Sequence, residues 1–241
     1  MEFSNTTTNQ GIVEQTRSFM RVDSTQWPVA KIVASANNYL DILTGYAIGA
    51  DKRFQWDDTN HTKLPEGTTN LVASQSDYSF LTDEQGNTIL TLVRMEILGT
   101  TGGTDWRQLL PIDESDYYNE SINRLQVTAG VSTHYDKIAD NIVRLYPKPN
   151  TAVTAGLKFY FQRTPSYFVA ADTSKSPGVA PILHRGFVIA AAYDGALTLG
   201  LNNLQALSVE MVKEEKRMKE YFANRKNDER NIMTMKQISF V

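Results

Sequence analysis

Apolar and polar positions alternate with two different periods along this chain, and the change of period divides it into helical ends and a β-rich middle. Between 29 and 47, Val29, Ile32, Val33, Ala36, Leu40, Leu43 and Ala47 recur every three or four residues, which puts them on one face of a helix. Pro28 stands in the first turn, where its missing N–H costs nothing, Ser24 and Thr25 are candidate caps, and Gly45 and Gly49 mark the predicted end. A shorter helix is predicted over 10–20, with Ile12, Val13 and Phe19 apolar.

From about residue 51 the pattern becomes short alternating runs bounded by turn residues, which predicts strands. The candidates are 53–57, 70–73, 76–81, 89–98, 105–109, 124–129, 141–146 and 157–163, with one helical turn within 113–123. Residues 82–87 (Thr-Asp-Glu-Gln-Gly-Asn) and 100–104 (Thr-Thr-Gly-Gly-Thr) read as hairpin loops. Many short strands at this spacing suggest a sandwich or small barrel.

Helical periodicity returns after Pro181. A first helix is rich in small residues, among them Gly186, Ala190 and Gly195, which permit close approach of a neighbouring backbone and are assigned to packing between subunits. A second, over 201–225, carries Leu204, Leu207, Met211, Met218 and Phe222 along one stripe, with 213–217 (Lys-Glu-Glu-Lys-Arg) read as solvated. The resulting fold class is α+β: a helical bundle from both chain ends (1–50 and 178–228), an inserted antiparallel, sandwich-like β unit (51–177), and an extended tail (229–241). Three independent units in series would leave the first two helices without a sufficient core. The join is marked by two strands that each end at proline, Asn141-Ile-Val-Arg-Leu-Tyr-Pro147 and Gly156-Leu-Lys-Phe-Tyr-Phe-Gln-Arg-Thr-Pro165, followed by Pro181 and the small-residue helix.

Composition narrows the function. With 41% hydrophobic and 21% charged residues the 241-residue chain is a folded one, and its formal net charge of −3 argues against a protein that wraps nucleic acid. There is no cysteine, which removes disulfides, thiolate metal sites and cysteine nucleophiles. No leader-like or membrane-spanning run stands out, so a protein made and kept in a cytoplasm is expected.

Candidate chemistry is sparse. Asp57 and Asp58, or Asp113, Glu114 and Asp116, could supply paired carboxylates, but neighbours on a strand point to opposite faces and acidic runs of this kind are ordinary solvated loops. His61, His134 and His184 lie in different segments without metal-ligand spacing. The glycines of 100–104 lack the Gly-Lys-Ser/Thr ending of a phosphate-binding loop. No catalytic, cofactor or metal residues are assigned, and the chain is read as a non-enzyme. Aromatic residues gather in the β region, including Trp56, Tyr78, Phe80, Trp106, Tyr117, Tyr118, Tyr146, Phe159, Tyr160 and Phe161; they fill a β core or, if exposed, form a platform for sugars or proteins. The apolar-enriched tail, with Ile232, Met235, Ile238, Phe240 and Val241, either frays or adds to a neighbour as a strand or anchor.

Several segments also carry a family likeness: Phe54-Gln-Trp-Asp-Asp-Thr-Asn60 leading to Leu64-Pro-Glu-Gly-Thr-Thr-Asn-Leu-Val72, Asp77-Tyr-Ser-Phe80, Trp106-Arg-Gln-Leu-Leu-Pro-Ile-Asp113, and the strand-proline run. In this order, over about 24–225, the chain resembles the adaptor, or head-to-tail connector, proteins of short-tailed bacteriophages. The resemblance implies a structural virion protein assembled in the host cytoplasm. It would form a dodecameric homo-oligomeric ring that docks to the portal protein, extends the DNA channel and offers a platform to a tail tube or nozzle protein. DNA would pass without specific binding, and no cofactor or membrane would be involved. The tail residues named above would contact the portal or a neighbouring copy, and Glu14, Arg17, Lys213, Glu214 and Lys216 could pair between subunits. The alternative from the β-region aromatics and acids is a carbohydrate-binding or glycan-cleaving tail module.

Overall fold

The computed structural model describes residues 1–50, 65–83, 86–112 and 128–223. The predicted strand at 53–57, the helical turn within 113–123, most of the strand at 124–129 and the whole tail lie outside the described residues. Among the described residues there are four α-helices and eight strands: α1 (Ile12–Met20), α2 (Val29–Ala50), β1 (Glu66–Leu71), β2 (Asp77–Ser79), β3 (Ile89–Leu98), β4 (Trp106–Gln108), β5 (Leu110–Pro111), β6 (His134–Ala139), β7 (Ile142–Tyr146), β8 (Val153–Arg163), α3 (His184–Leu199) and α4 (Leu204–Ala223). The architecture is α+β, with helices at both ends and β structure between them.

Helix α2 starts where the periodicity places it, since the Pro28 carbonyl accepts from Lys31 N–H at 3.0 Å. The preceding turn is held by a residue the capping argument missed. Asp23 accepts the backbone N–H of Thr25 at 2.8 Å and of Gln26 at 2.9 Å, and these bonds, Gln26's foremost, hold its carboxyl below the usual aspartate range. At the other end α2 runs through Gly45 and Gly49 to Ala50, because tertiary packing of Leu43 and Ala47 outweighs the cost of about 1 kcal/mol for a mid-helix glycine.

Helix α3 packs against each of the other three helices, and almost its whole circumference is buried. Only small side chains allow that. Tyr39 of α2 occupies the space where a Cβ on Gly186 would sit, and Met20 of α1 does the same at Gly195, with Trp27 beside it. Phe187 meets Tyr39 edge-on at 5.0 Å. The core joins Ile12, Val13 and Met20 of α1, Ile32, Leu40 and Leu43 of α2, and Leu207, Met218 and Phe222 of α4 around this central helix.

Two flanking segments join the same core. Phe3 stacks on Phe168 at 4.7 Å, and Phe168 is clamped through its backbone by Asn37, whose Nδ2 donates to its carbonyl at 3.0 Å and whose Oδ1 accepts its N–H at 2.9 Å. Phe168 therefore belongs to the helical core together with Val179, although the sequence reading placed 51–177, and Phe168 with it, in the β unit. The N-terminal ten residues, polar apart from Met1 and Phe3, bury Phe3 completely.

The strands form two four-stranded sheets, ordered β1-β8-β3-β4 and β2-β7-β6-β5. Neighbours are antiparallel except β5 and β6, which are parallel. The period-two pattern sends Met95, Ile97, Leu157, Phe159 and Phe161 of the first sheet and Val143 and Leu145 of the second into one shared core. The 100–104 loop is the expected hairpin between β3 and β4, with Gly102 at φ 74°. The 82–87 loop behaves differently. Asp83 N–H donates to the Asn87 carbonyl at 2.9 Å and Thr82 bridges Thr88, but β2 and β3 then enter different sheets. Strand β6 escaped prediction because His-Tyr-Asp-Lys-Ile-Ala has little apolar alternation; its pairing with β7 fixes it.

Candidate assembly surfaces

The proposed packing residues occupy the interior of one copy. Gly186, Ala190 and Gly195 are all buried, with Tyr39 covering the first and Met20 and Trp27 the last, so their close approaches are made within the chain. A neighbouring copy would have to use other surfaces. The residues expected to anchor the tail, Ile232, Met235, Ile238, Phe240 and Val241, lie outside the described residues, as do Trp56, Asp57, Asp58, His61, Asp113, Glu114, Asp116, Tyr117 and Tyr118.

The charged residues offered for pairing between subunits have partners inside the chain. Glu14 accepts from Ser4 Oγ at 2.6 Å and Asn5 N–H at 2.9 Å, and Arg17 Nε donates to the Trp27 carbonyl at 3.2 Å. The 213–217 segment is not uniformly solvated: the Glu214 side chain is 3% exposed, bound by Arg217 Nη1 at 3.0 Å with Arg185 Nε 3.6 Å away. Glu210 takes Arg185 at 3.0 Å and Lys213 at 2.6 Å, and the Lys213 bond, the larger influence, lowers its carboxyl below the usual range. Lys216 lies 3.8 Å from Glu220. These pairs brace α4 against α3 and its own next turn.

The aromatics divide cleanly. Tyr78, Phe80, Phe159 and Phe161 fill the β core, and Tyr146 is buried. Trp106 and Tyr160 lie half-buried on the outer side of the first sheet, but cations cover their rings: Lys158 Nζ stands 4.2 Å from the Trp106 ring centre and the Arg94 guanidinium 4.1 Å from that of Tyr160. A sugar stacking on either ring would have to displace the cation. Of the histidines, His134 Nδ1 lies 2.9 Å from Thr133 Oγ1. His184 is buried between the Val179 carbonyl at 2.9 Å and the Met1 nitrogen at 2.8 Å.

Some of the open surface is apolar. Where α1 ends and α4 begins, Phe19, Met20, Leu201, Ala206 and Leu207, together with Arg21, Asn202, Asn203 and Glu210, line an open groove of about 530 Å³. The local sequence builds it: Arg21 ends α1 at φ 58°, and Gly200 at φ 64° ends α3, returning its N–H to the Ala196 carbonyl. Asn203 Nδ2 donates to the Phe19 carbonyl at 3.0 Å and ties the two walls together. Phe19 remains 42% exposed at the rim. Farther along α4, Val209 and Val212 are 53% and 64% exposed, one turn apart, forming an apolar ridge. The sequence reading missed both features, although Val209 and Val212 were visible as apolar residues off the buried stripe. Among the described residues, no helix is long and apolar enough to cross a membrane, and no cluster of three or more His, Asp or Glu side chains forms a potential metal site.

A family model described as SU10 adaptor protein matches residues 15–235. The chain belongs to the SU10 adaptor protein family. It is thus a phage adaptor, a structural component of the virion, and the likeness first carried by the 54–113 segments and the strand-proline run is the right one. No curated protein sequence matches the chain at a significant level. For an adaptor the functional site is contact surface, and the groove at Phe19 and the ridge at Val209 and Val212 are among the apolar positions that the helical part leaves exposed, as are Ile42, Ile182, Leu197 and Leu199.

Proposed function

We propose that the protein is the subunit of a closed adaptor ring that joins the portal vertex of a short-tailed phage to its tail and continues the DNA channel. Family membership carries this reading. Physical chemistry supports it in two ways. A cyclic ring needs two different surfaces per subunit that meet when copies rotate about one axis, and the helical part exposes both a groove and a ridge of apolar residues. The formal net charge of −3 gives no overall surplus of cations with which to retain passing DNA.

In this reading 1–50 and 178–228 form the ring-building unit, 51–177 the inserted β unit, and 229–241 a tail whose Ile232, Met235, Ile238, Phe240 and Val241 anchor on the portal or a neighbouring copy. The ring is dodecameric, assembles in the host cytoplasm, offers its far side to a tail tube or nozzle protein, and performs no reaction. Light scattering and native mass spectrometry of the purified chain, alone and with portal rings, test it. A ring-sized complex on the portal is expected; a chain that stays monomeric and never binds the portal overturns the proposal.

A further inference from the structure

We infer that the two sheets swing as one body against the four helices about a pivot at Pro165 and Ser166. The inference goes beyond the ring reading, because it concerns a single chain before any partner binds. Its first support is that the two parts have separate cores. Among the described residues the two apolar clusters have no member in common, one built on α1 to α4 and the other on the strands. Helices pack on helices and strands on strands, and among the described residues no helix lays a face against either sheet. Units of one chain that lack a large apolar interface move relative to one another by default.

The second support is the place where the hydrogen bonds change sides. Up to Thr164 the chain belongs to the sheets. Arg163 pairs with Ile89 across β8 and β3 and its Nε lies 3.2 Å from Asp83, Thr164 N–H donates to the Thr88 carbonyl at 2.9 Å, and Thr88 N–H donates to Thr164 Oγ1 at 3.1 Å. From Tyr167 it belongs to the helices: the Tyr167 hydroxyl donates to Asp41 at 2.6 Å, and Asn37 holds both backbone groups of Phe168. Between these anchors Ser166 makes no hydrogen bond among the described residues, and Pro165 has no N–H to give. The buried Pro165 ring fixes φ at about −65°, so turning falls on its ψ and on the two angles of Ser166. The other connection, 51–64, lies outside the described residues; its fourteen positions reach about 45 Å at full extension, a length that permits the swing. A phage adaptor contacts other virion components, and such a pivot lets each part settle on its own neighbour.

The cysteine-free chain allows a direct test by spin labelling. Nitroxides on Asn38→Cys in α2 and Asp140→Cys in the turn between β6 and β7, both exposed sites, report the distance between the two parts. Asn38→Cys with Lys216→Cys, and Thr101→Cys with Asp140→Cys, are also exposed pairs and report distances within each part. Melting curves first establish that every variant folds like the parent. Pulsed electron spin resonance on the full-length chain should give a distance distribution between the parts at least about twofold wider than either control. Ser166→Pro removes no hydrogen bond and restricts both sides of the pivot, so it should narrow that distribution and leave the controls unchanged. Pro165→Gly, which frees φ, should widen it further. A distribution between the parts as narrow as the controls overturns the inference. A broad one that neither substitution alters overturns the assignment of the pivot to Pro165 and Ser166. Portal binding is read in no arm, so failure of the ring reading leaves this result untouched.

Discussion

Tyr39 lies directly over Gly186, its hydroxyl end filling the place a side chain at 186 would need. The contact sets how closely α2 and α3 approach. Gly186→Ala should therefore destabilise the protein by about 1–3 kcal/mol through overpacking, despite alanine's better helix propensity. Gly45→Ala, where an added methyl would meet nothing within 4 Å, should stabilise the isolated chain by up to about 1 kcal/mol. Urea unfolding midpoints read both; two effects of the same sign would refute this account of the helix interface.

The clamp between Asn37 and Phe168 makes a second prediction. Asn37 satisfies both backbone groups of Phe168 beside a buried ring, so Asn37→Ala leaves two groups without protein partners. A loss of about 1–3 kcal/mol is expected, together with faster proteolysis within 165–180. Unchanged cleavage there would mean that the stacking of Phe3 on Phe168 suffices to hold the segment.

Across β2 and β7, Arg144 Nε and Nη2 reach the two carboxylate oxygens of Asp77 at 2.7 and 2.9 Å. The bond lowers the Asp77 pKa and raises that of Arg144. A depressed carboxylate contributes stability above its unfolded value of about 3.9, and that contribution disappears as pH falls through the folded value. Asp77→Asn should thus be less stable than the parent at pH 7, by roughly 1 kcal/mol or less for this half-exposed pair, with the gap closing below about pH 4. Melting temperatures of both proteins across pH 2.5–7 would show it, and a gap that widens on acidification contradicts it.

Glu214 gives a fourth. Its buried carboxylate is bound by two arginines that are themselves half-exposed. Glu214→Ala should cost about 1–3 kcal/mol, since the cavity and the loss of a charge partner add, whereas Glu214→Met, which fills the volume, should cost little or nothing. Equal losses in chemical denaturation would show that the charge, and not the filled volume, matters at this position.

On the outer side of the first sheet, Lys158 and Arg94 cover Trp106 and Tyr160. No measurable affinity for polysaccharides is expected on a glycan array, and Trp106→Ala should lower stability modestly without altering that result. Glycan binding that vanishes in Trp106→Ala would revive the carbohydrate reading.

How much was legible in the chain depends on how local each signal was. The α2 stripe from Val29 to Ala47, the full extent of β3 and the inward alternation of β8 could be read directly, because the period of apolar residues is itself the record of which face is buried. The two proline-terminated strands and the helix after Pro181 were equally plain. Strand β6 was not, because a polar strand is specified by the backbones of its neighbours β7 and β5 and not by its own side chains.

The sequence by itself determined the α+β order, the division of helical ends from β middle, and the family likeness. Tertiary structure alone decided what the small residues of α3 are for. Gly186, Ala190 and Gly195 announce that something comes close, but a missing side chain carries no address. Only the folded chain shows that Tyr39, Met20 and Trp27 take those spaces, leaving the groove at Phe19 and the ridge at Val209 and Val212 open for partners. Periodicity encodes burial within one element, whereas a contact surface emerges from several elements meeting, and no single stretch of sequence holds that information.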